Sequence, residues 1–203
     1  MSLVVAKTRR GATICIGCLA LVGSIAPNVA LAQKVDRPEM KIGDRWKMER
    51  KDGFTKVVQF TEEITVVSVA ADKTAITLDG QPSAMTPDLS ILENARFQYE
   101  QPYDLLKFPL ESGKEWSFKP KWKNKQSGQT FSGTFDAEVK GFEKIQTPAG
   151  EFDAIKIEAK GYLAWSVRIT YWYAPKAKAI VRMIWQDRKC DFTSELIEYS
   201  LAQ

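Results

Sequence analysis

The chain has 203 residues, with 29 Lys and Arg against 25 Asp and Glu, and it contains no histidine. Lys7, Arg9 and Arg10 stand in the first 32 residues without an acidic partner, which leaves a nearly even 26 against 25 in the remainder. So balanced a chain offers no concentrated positive footprint for nucleic acid, and it lacks the commonest general base and neutral metal ligand near neutral pH.

The basic cluster precedes an uncharged, mostly apolar stretch from Gly11 to Ala26, closed by Pro27. Ala30-Leu31-Ala32 then puts small residues where a signal peptidase reads, so a signal-peptide helix with cleavage after Ala32 is predicted. A retained anchor wants about 20 apolar residues, more than this stretch supplies. A lipid anchor would use Cys18, but Cys15 stands where an aliphatic residue is normally wanted and the apolar run continues past Cys18. The division is therefore 1–32 as signal peptide and 33–203 as one β domain, working in the periplasm and not embedded in the membrane once cleaved. That domain is long enough for a real core. Cys15 and Cys18 would leave with the leader, and Cys190 alone forms no intramolecular disulfide. It reads as a small, semi-apolar residue near a strand end.

After the leader, period-two alternation dominates. Asp44 to Arg50 and Thr55 to Val69 read as strands around an Asp52-Gly53 turn, and Lys73 to Leu78 ends at Asp79-Gly80. Gln81 to Leu110, broken by Pro82, Pro87, Pro102 and Pro109, reads as irregular, with a short helix over Leu89 to Ala95. From Lys114, the residues Trp116, Phe118, Pro120 and Trp122 share one face and Lys119 and Lys121 the other. No single surface therefore presents lysines with tryptophans, and Pro120 marks an edge strand guarded by lysine. Phe131, Gly133, Phe135, Ala137 and Val139 alternate with polar residues, and Phe152 to Ala159 stops before Gly161. The longest run sets Leu163, Trp165, Val167, Ile169, Tyr171 and Tyr173 on one face. Ala179 to Trp185 and Phe192 to Leu201 form a closing hairpin. About nine strands at hairpin spacing predict an all-β fold: a single curved antiparallel sheet, or a partly open barrel or sandwich.

The sequence shows no serine elbow, no glycine-rich phosphate cradle and no zinc-ligand spacing, so no catalytic residue, metal or cofactor is expected. Glu62-Glu63 resembles a carboxylate pair, but adjacent strand residues face opposite ways and cannot flank one bond. Asp36 and Glu39 sit near the predicted mature terminus, where chains are often loose. A curled sheet built with six Trp, ten Phe and six Tyr has a concave face that is either packed or lined as a cavity. The aromatic candidates for such a lining are Trp116, Trp122, Trp165 and Tyr171.

Three turn-to-strand patterns follow one another: Phe108-Pro109-Leu110 with Ser112-Gly113 and Trp116, then Pro148-Ala149-Gly150 with Phe152, then Trp172-Tyr173-Ala174-Pro175 before Val181-Arg182. With Gly43-Asp44-Arg45-Trp46 at the start and Glu195-Leu196 to Tyr199 at the end, they resemble a group of exported bacterial β proteins, a domain of unknown function called TapB-like. The resemblance spans about Met40 to Leu201 and implies a curved sheet in the cell envelope; it carries over no catalytic residue. The expected role is non-catalytic binding of an apolar or amphipathic ligand, such as a lipid, or of an envelope protein. The alternatives are a structural module acting through a sheet edge or the Gln81 to Leu110 loop, and an enzyme on envelope polymers.

Overall fold

β-Branched and aromatic residues at alternate positions make extended chain favourable almost everywhere after Met40. The computed structural model describes residues 34–203, so the predicted signal peptide, its cleavage site and Cys15 and Cys18 lie outside the described residues. The described chain forms fourteen strands. The first six are β1 (Arg45–Asp52), β2 (Val58–Val69), β3 (Thr74–Leu78), β4 (Gln81–Met85), β5 (Ile91–Glu93) and β6 (Phe97–Gln101). Then come β7 (Glu115–Phe118), β8 (Lys121–Asn124), β9 (Thr130–Ser132) and β10 (Thr134–Thr147). The last four are β11 (Gly150–Tyr162), β12 (Ser166–Ala174), β13 (Ala179–Asp187) and β14 (Phe192–Ser200), with one 3₁₀ turn over Pro175–Ala177. No helix among the described residues is long and apolar enough to cross a membrane.

All fourteen strands belong to one antiparallel sheet, in the order β7-β10-β11-β12-β13-β14-β1-β2-β3-β4-β5-β6-β8-β9. The curved-sheet form of the all-β expectation is therefore the one observed. Both ends of this order come from a single hairpin. β7 runs on into β8 across Lys119-Pro120, and β9 runs on into β10 across Gly133, whose N–H bonds to the Pro120 carbonyl at 2.9 Å. The sheet thus returns on itself through a bent hairpin. Bulges supply the curvature elsewhere, with register shifts at Lys47/Met48, Arg50/Lys51 and Val66/Ser68 on one side and at Val139/Gly141 and Trp172/Tyr173 on the other.

Several local expectations need correction. Leu89 to Ala95 is not helical: Gln81 to Gln101 supplies three further strands, and Pro82 is accommodated opposite Thr77 within β4. The segment from Lys114 splits into β7, an edge strand as expected, and β8, which pairs with both β6 and β9. Gly161 does not stop its strand. It pairs with Phe135, and a Cβ there would collide with the Phe135 ring and the Thr134 carbonyl oxygen, so only glycine fits. Leu163 and Trp165 lie in a turn centred on Ala164, outside β12, where Val167, Ile169, Tyr171 and Tyr173 are buried as the alternation requires.

Two apolar clusters result. The first holds Leu110, Trp116, Phe118, Phe135, Ile157 and Tyr171, and the second holds Trp46, Val66, Ile76, Phe152, Val181 and Leu196. β11 and β12 serve both: consecutive Ala154-Ile155 and Trp172-Tyr173-Ala174 are all buried, on opposite faces. Central strands covered on both faces lose clean alternation. Asp44, fully buried, ties the second cluster together. Its carboxylate accepts from the N–H of Lys41 at 2.9 Å and of Ala202 at 2.8 Å, and from Lys178 Nζ at 3.0 Å. The neighbouring Trp46 indole donates to the Ala177 carbonyl at 2.6 Å, so the Gly43-Asp44-Arg45-Trp46 segment pins the 3₁₀ turn and the chain end.

Candidate functional site

An open cleft lies over the second cluster, with Leu106, Ile180 and Met183 of the first completing its wall. Bulges in β1 and β2 turn Trp46, Met48, Glu62 and Ile64 toward one another, and β3 adds Ile76 and Leu78. Together with Met40, Met85 and Met183 they line a cleft of about 340 Å³. All four methionines after Met1 line it. Methionine has a flexible, polarisable side chain that conforms to irregular apolar partners, and this volume falls at the lower end of small-molecule pockets.

Two charged groups line this space, and a third stands beside it. Lys178 is held by Asp44. Glu62 points inward while Glu63 is exposed, as the alternation requires. Desolvation raises the Glu62 carboxyl above the ordinary glutamate range, with Asp79 adding to the shift and Arg50 opposing it. Arg50 stands one strand position further along the same face. It pairs in register with Phe60 on β2 and with Ser194 on β14, and Ser194 itself lines the methionine cleft. A second cavity of about 440 Å³ opens beyond Arg50, walled by Tyr99, Tyr103, Trp185 and Phe192.

The two cavities share Leu89 and Ile91 as a common wall. Leu89 holds a left-handed backbone at φ +65° in a turn closed by its own N–H to the Thr86 carbonyl at 2.9 Å. A bulky residue adopts that region only under local constraint, and Leu89 packs against both apolar clusters. The strain is thus located where the wall between the cavities is set. Asp187 also lines the second cavity. Burial alone would raise its carboxyl, but donors from the Trp185 indole and the N–H groups of Lys189 and Cys190 outweigh burial and hold it low. No group of three or more His, Cys, Asp or Glu side chains among the described residues is placed to hold a metal.

The four aromatic candidates lie elsewhere. Tyr171 is fully buried in the first cluster and donates its hydroxyl to the Leu105 carbonyl, and burial pushes the phenol well above its usual range. Trp116 is buried and donates to the Asp104 carbonyl at 2.8 Å. Trp122 stacks with Tyr99 and Phe131. Trp165 sits under Lys189, whose ammonium lies 4.5 Å from the ring centroid. None of them lines either cavity. Sequence reasoning missed the methionines and Arg50, and met Glu62 only as half of a carboxylate pair it set aside. The available signal was the spacing of Trp46, Met48 and Arg50 on one face of a strand.

No family model matches the chain, so the TapB-like resemblance rests on the residues quoted for it, and no curated protein matches either. Solved structures do match. One is a protein of Bacteroides fragilis NCTC 9343 described as exported and of YmcC-like fold: 15% identity and a TM-score of 0.55 over 82% of this chain and 99% of that one. Another, from Parabacteroides distasonis ATCC 8503 and described as a lipoprotein, has 14% identity and a TM-score of 0.53 over 82% and 99%. At such identities the likeness is one of fold: this chain shares the YmcC-like fold.

Proposed function

We propose that this is an exported protein of the bacterial cell envelope, periplasmic after cleavage at Ala32, that binds an apolar or amphipathic ligand without chemically altering it. The observation that carries this reading is the convergence of Met40, Met48, Met85 and Met183 on one open cleft. The predicted leader, the TapB-like resemblance and the fold shared with a protein described as exported and another described as a lipoprotein support the location. A methylene takes up about the volume of one liquid water, roughly 30 Å³, so the cleft accommodates on the order of ten. At about 0.8 kcal/mol each their burial gives roughly 8 kcal/mol before association costs. Net affinity should therefore be micromolar or weaker.

Native mass spectrometry with lipid extraction of the protein from its producing cell tests the reading, together with Met183→Trp, which fills the cleft. Co-purifying lipid that disappears in the variant supports it. Absence of any bound lipid, with no affinity for added single-chain lipids, removes it.

A second reading, an interaction module, is favoured by a different feature. At the end of the β1–β2 hairpin, Phe54 is 81% exposed, with Val57, Val58 and Phe60 also exposed. Such a patch is an expected partner surface. This patch favours the hairpin as the interacting surface over the Gln81 to Leu110 segment, most of whose residues up to Gln101 are strand. In-cell crosslinking from position 54 to a stable protein partner supports the module.

A further inference from the structure

The structure assigns the head group of the ligand: the cleft takes a single-chain amphiphile with an anionic head, and Arg50 is the residue that receives that head. This inference rests on the cleft reading and adds the charge of the occupant. Arg50 lies between the two cavities, beside Ser194 of the first and within the lining of the second. Its guanidinium lies 3.3 Å from the Phe192 ring centroid and 5.4 Å from that of Phe60. Stacking orients the plane but leaves the N–H edge to be satisfied by something else.

That edge is under-used. Arg50 Nε is buried with no hydrogen-bond partner among the described residues, and the one side-chain contact of its terminal nitrogens is Nη2 to the Cys190 sulfur at 3.4 Å, a weak acceptor. No carboxylate lies within ion-pair distance of Arg50 among the described residues, whereas Lys178 and Arg182 each hold one and Lys51 holds two. Asp187, in the same lining, already has its oxygens engaged by three donors. Desolvation raises the carboxyl of Glu62, the one acid in the methionine cleft, and Arg50 opposes that shift. A buried Nε–H without an acceptor is costly, and a carboxylate or phosphate matches the fork that Nε forms with the more exposed terminal nitrogens. The apolar walls on either side fit a chain attached to that head. The cleft volume suits one chain of about ten methylenes and not a pair.

The test is calorimetric titration of the purified full chain with dodecanoate, dodecyl phosphate and dodecanol, each below its aggregation threshold, repeated on Arg50→Met and Arg50→Lys. The expected result is at least tenfold tighter binding of the two anions than of the alcohol. Arg50→Met should abolish that preference while keeping dodecanol affinity, and Arg50→Lys should keep part of it. A stronger response to dodecyl phosphate assigns a phosphate-headed lipid, and a stronger response to dodecanoate a fatty acid. Equal binding of anions and alcohol by the parent protein overturns the head-group assignment and leaves the apolar cleft standing, as does an anion preference that survives in Arg50→Met. If none of the three probes binds, the cleft reading falls and this assignment falls with it. Should Arg50→Met fail to fold, the parent's anion-to-alcohol ratio and the Arg50→Lys variant still decide the matter.

Discussion

Single residues here carry two kinds of burden, holding the sheet together and keeping polar groups inside it. Asp44 is of the first kind. Its carboxylate serves two backbone N–H groups and Lys178 while wholly shielded from solvent. Truncation leaves those donors without an acceptor, so Asp44→Ala should lower stability by about 3 kcal/mol or more, read from urea unfolding midpoints at constant slope. Glu62 is of the second kind. Because folding raises its pKa, the unfolded chain ionises first as pH climbs past about 4.3, and the native state loses stability until folded Glu62 also ionises. Glu62→Gln should therefore melt higher than the parent protein at neutral pH, with the gap closing below the ordinary glutamate range. A gap that instead widens in acid contradicts the assigned environment. Neither role was legible from the sequence. Asp44 stood only inside a family-like motif, and Glu62 was visible only as half of a carboxylate pair that strand geometry rules out.

At the level of elements, the bent hairpin β7–β10 supplies both ends of the sheet, and aromatic contacts secure it. Phe118 and Phe135 stack with centroids 5.1 Å apart, Trp122 lies on Phe131 at 5.6 Å, and Tyr103 joins Trp122 to Phe135. Phe135 is nearly solvent-free and also covers Gly161. Phe135→Ala should cost about 3–5 kcal/mol, and a double-mutant cycle with Phe118→Ala should show coupling of roughly 0.5–1.5 kcal/mol. Additivity within error would deny the stacking. The strands of this hairpin were legible in the alternation from Lys114 and from Phe131. Its splitting was not, because Pro120 and Gly133 announce a break without saying that each half pairs with a different neighbour. The short strands β4, β5 and β6 were hidden for a related reason. Prolines that break isolated strands are tolerated where the partner strand does not need their N–H.

On the scale of the whole molecule, the ends of the described chain meet. β1 pairs with β14, Arg45 opposite Ser200 and Asp52 opposite Phe192, and the sheet order places β1 at its centre. Contacts between such distant segments make loop closure the slow step, so refolding from denaturant should take milliseconds to seconds or longer and pass through a partly ordered stage. Stopped-flow tryptophan fluorescence measures this directly, and complete single-phase recovery within a millisecond contradicts it. The amino-acid order by itself determined that the residues after the leader are predominantly β, where most turns fall and which face of the long alternating strands is apolar, because those properties depend on neighbours one and two residues apart. Where the concave face stays open was decided by tertiary structure alone. Bulges at Met48, Lys51 and Ser68 accompany the convergence of methionines and Glu62 from separate strands on one space, with Arg50 in the adjoining one. A rotation set by register across the sheet leaves no periodic trace along the chain.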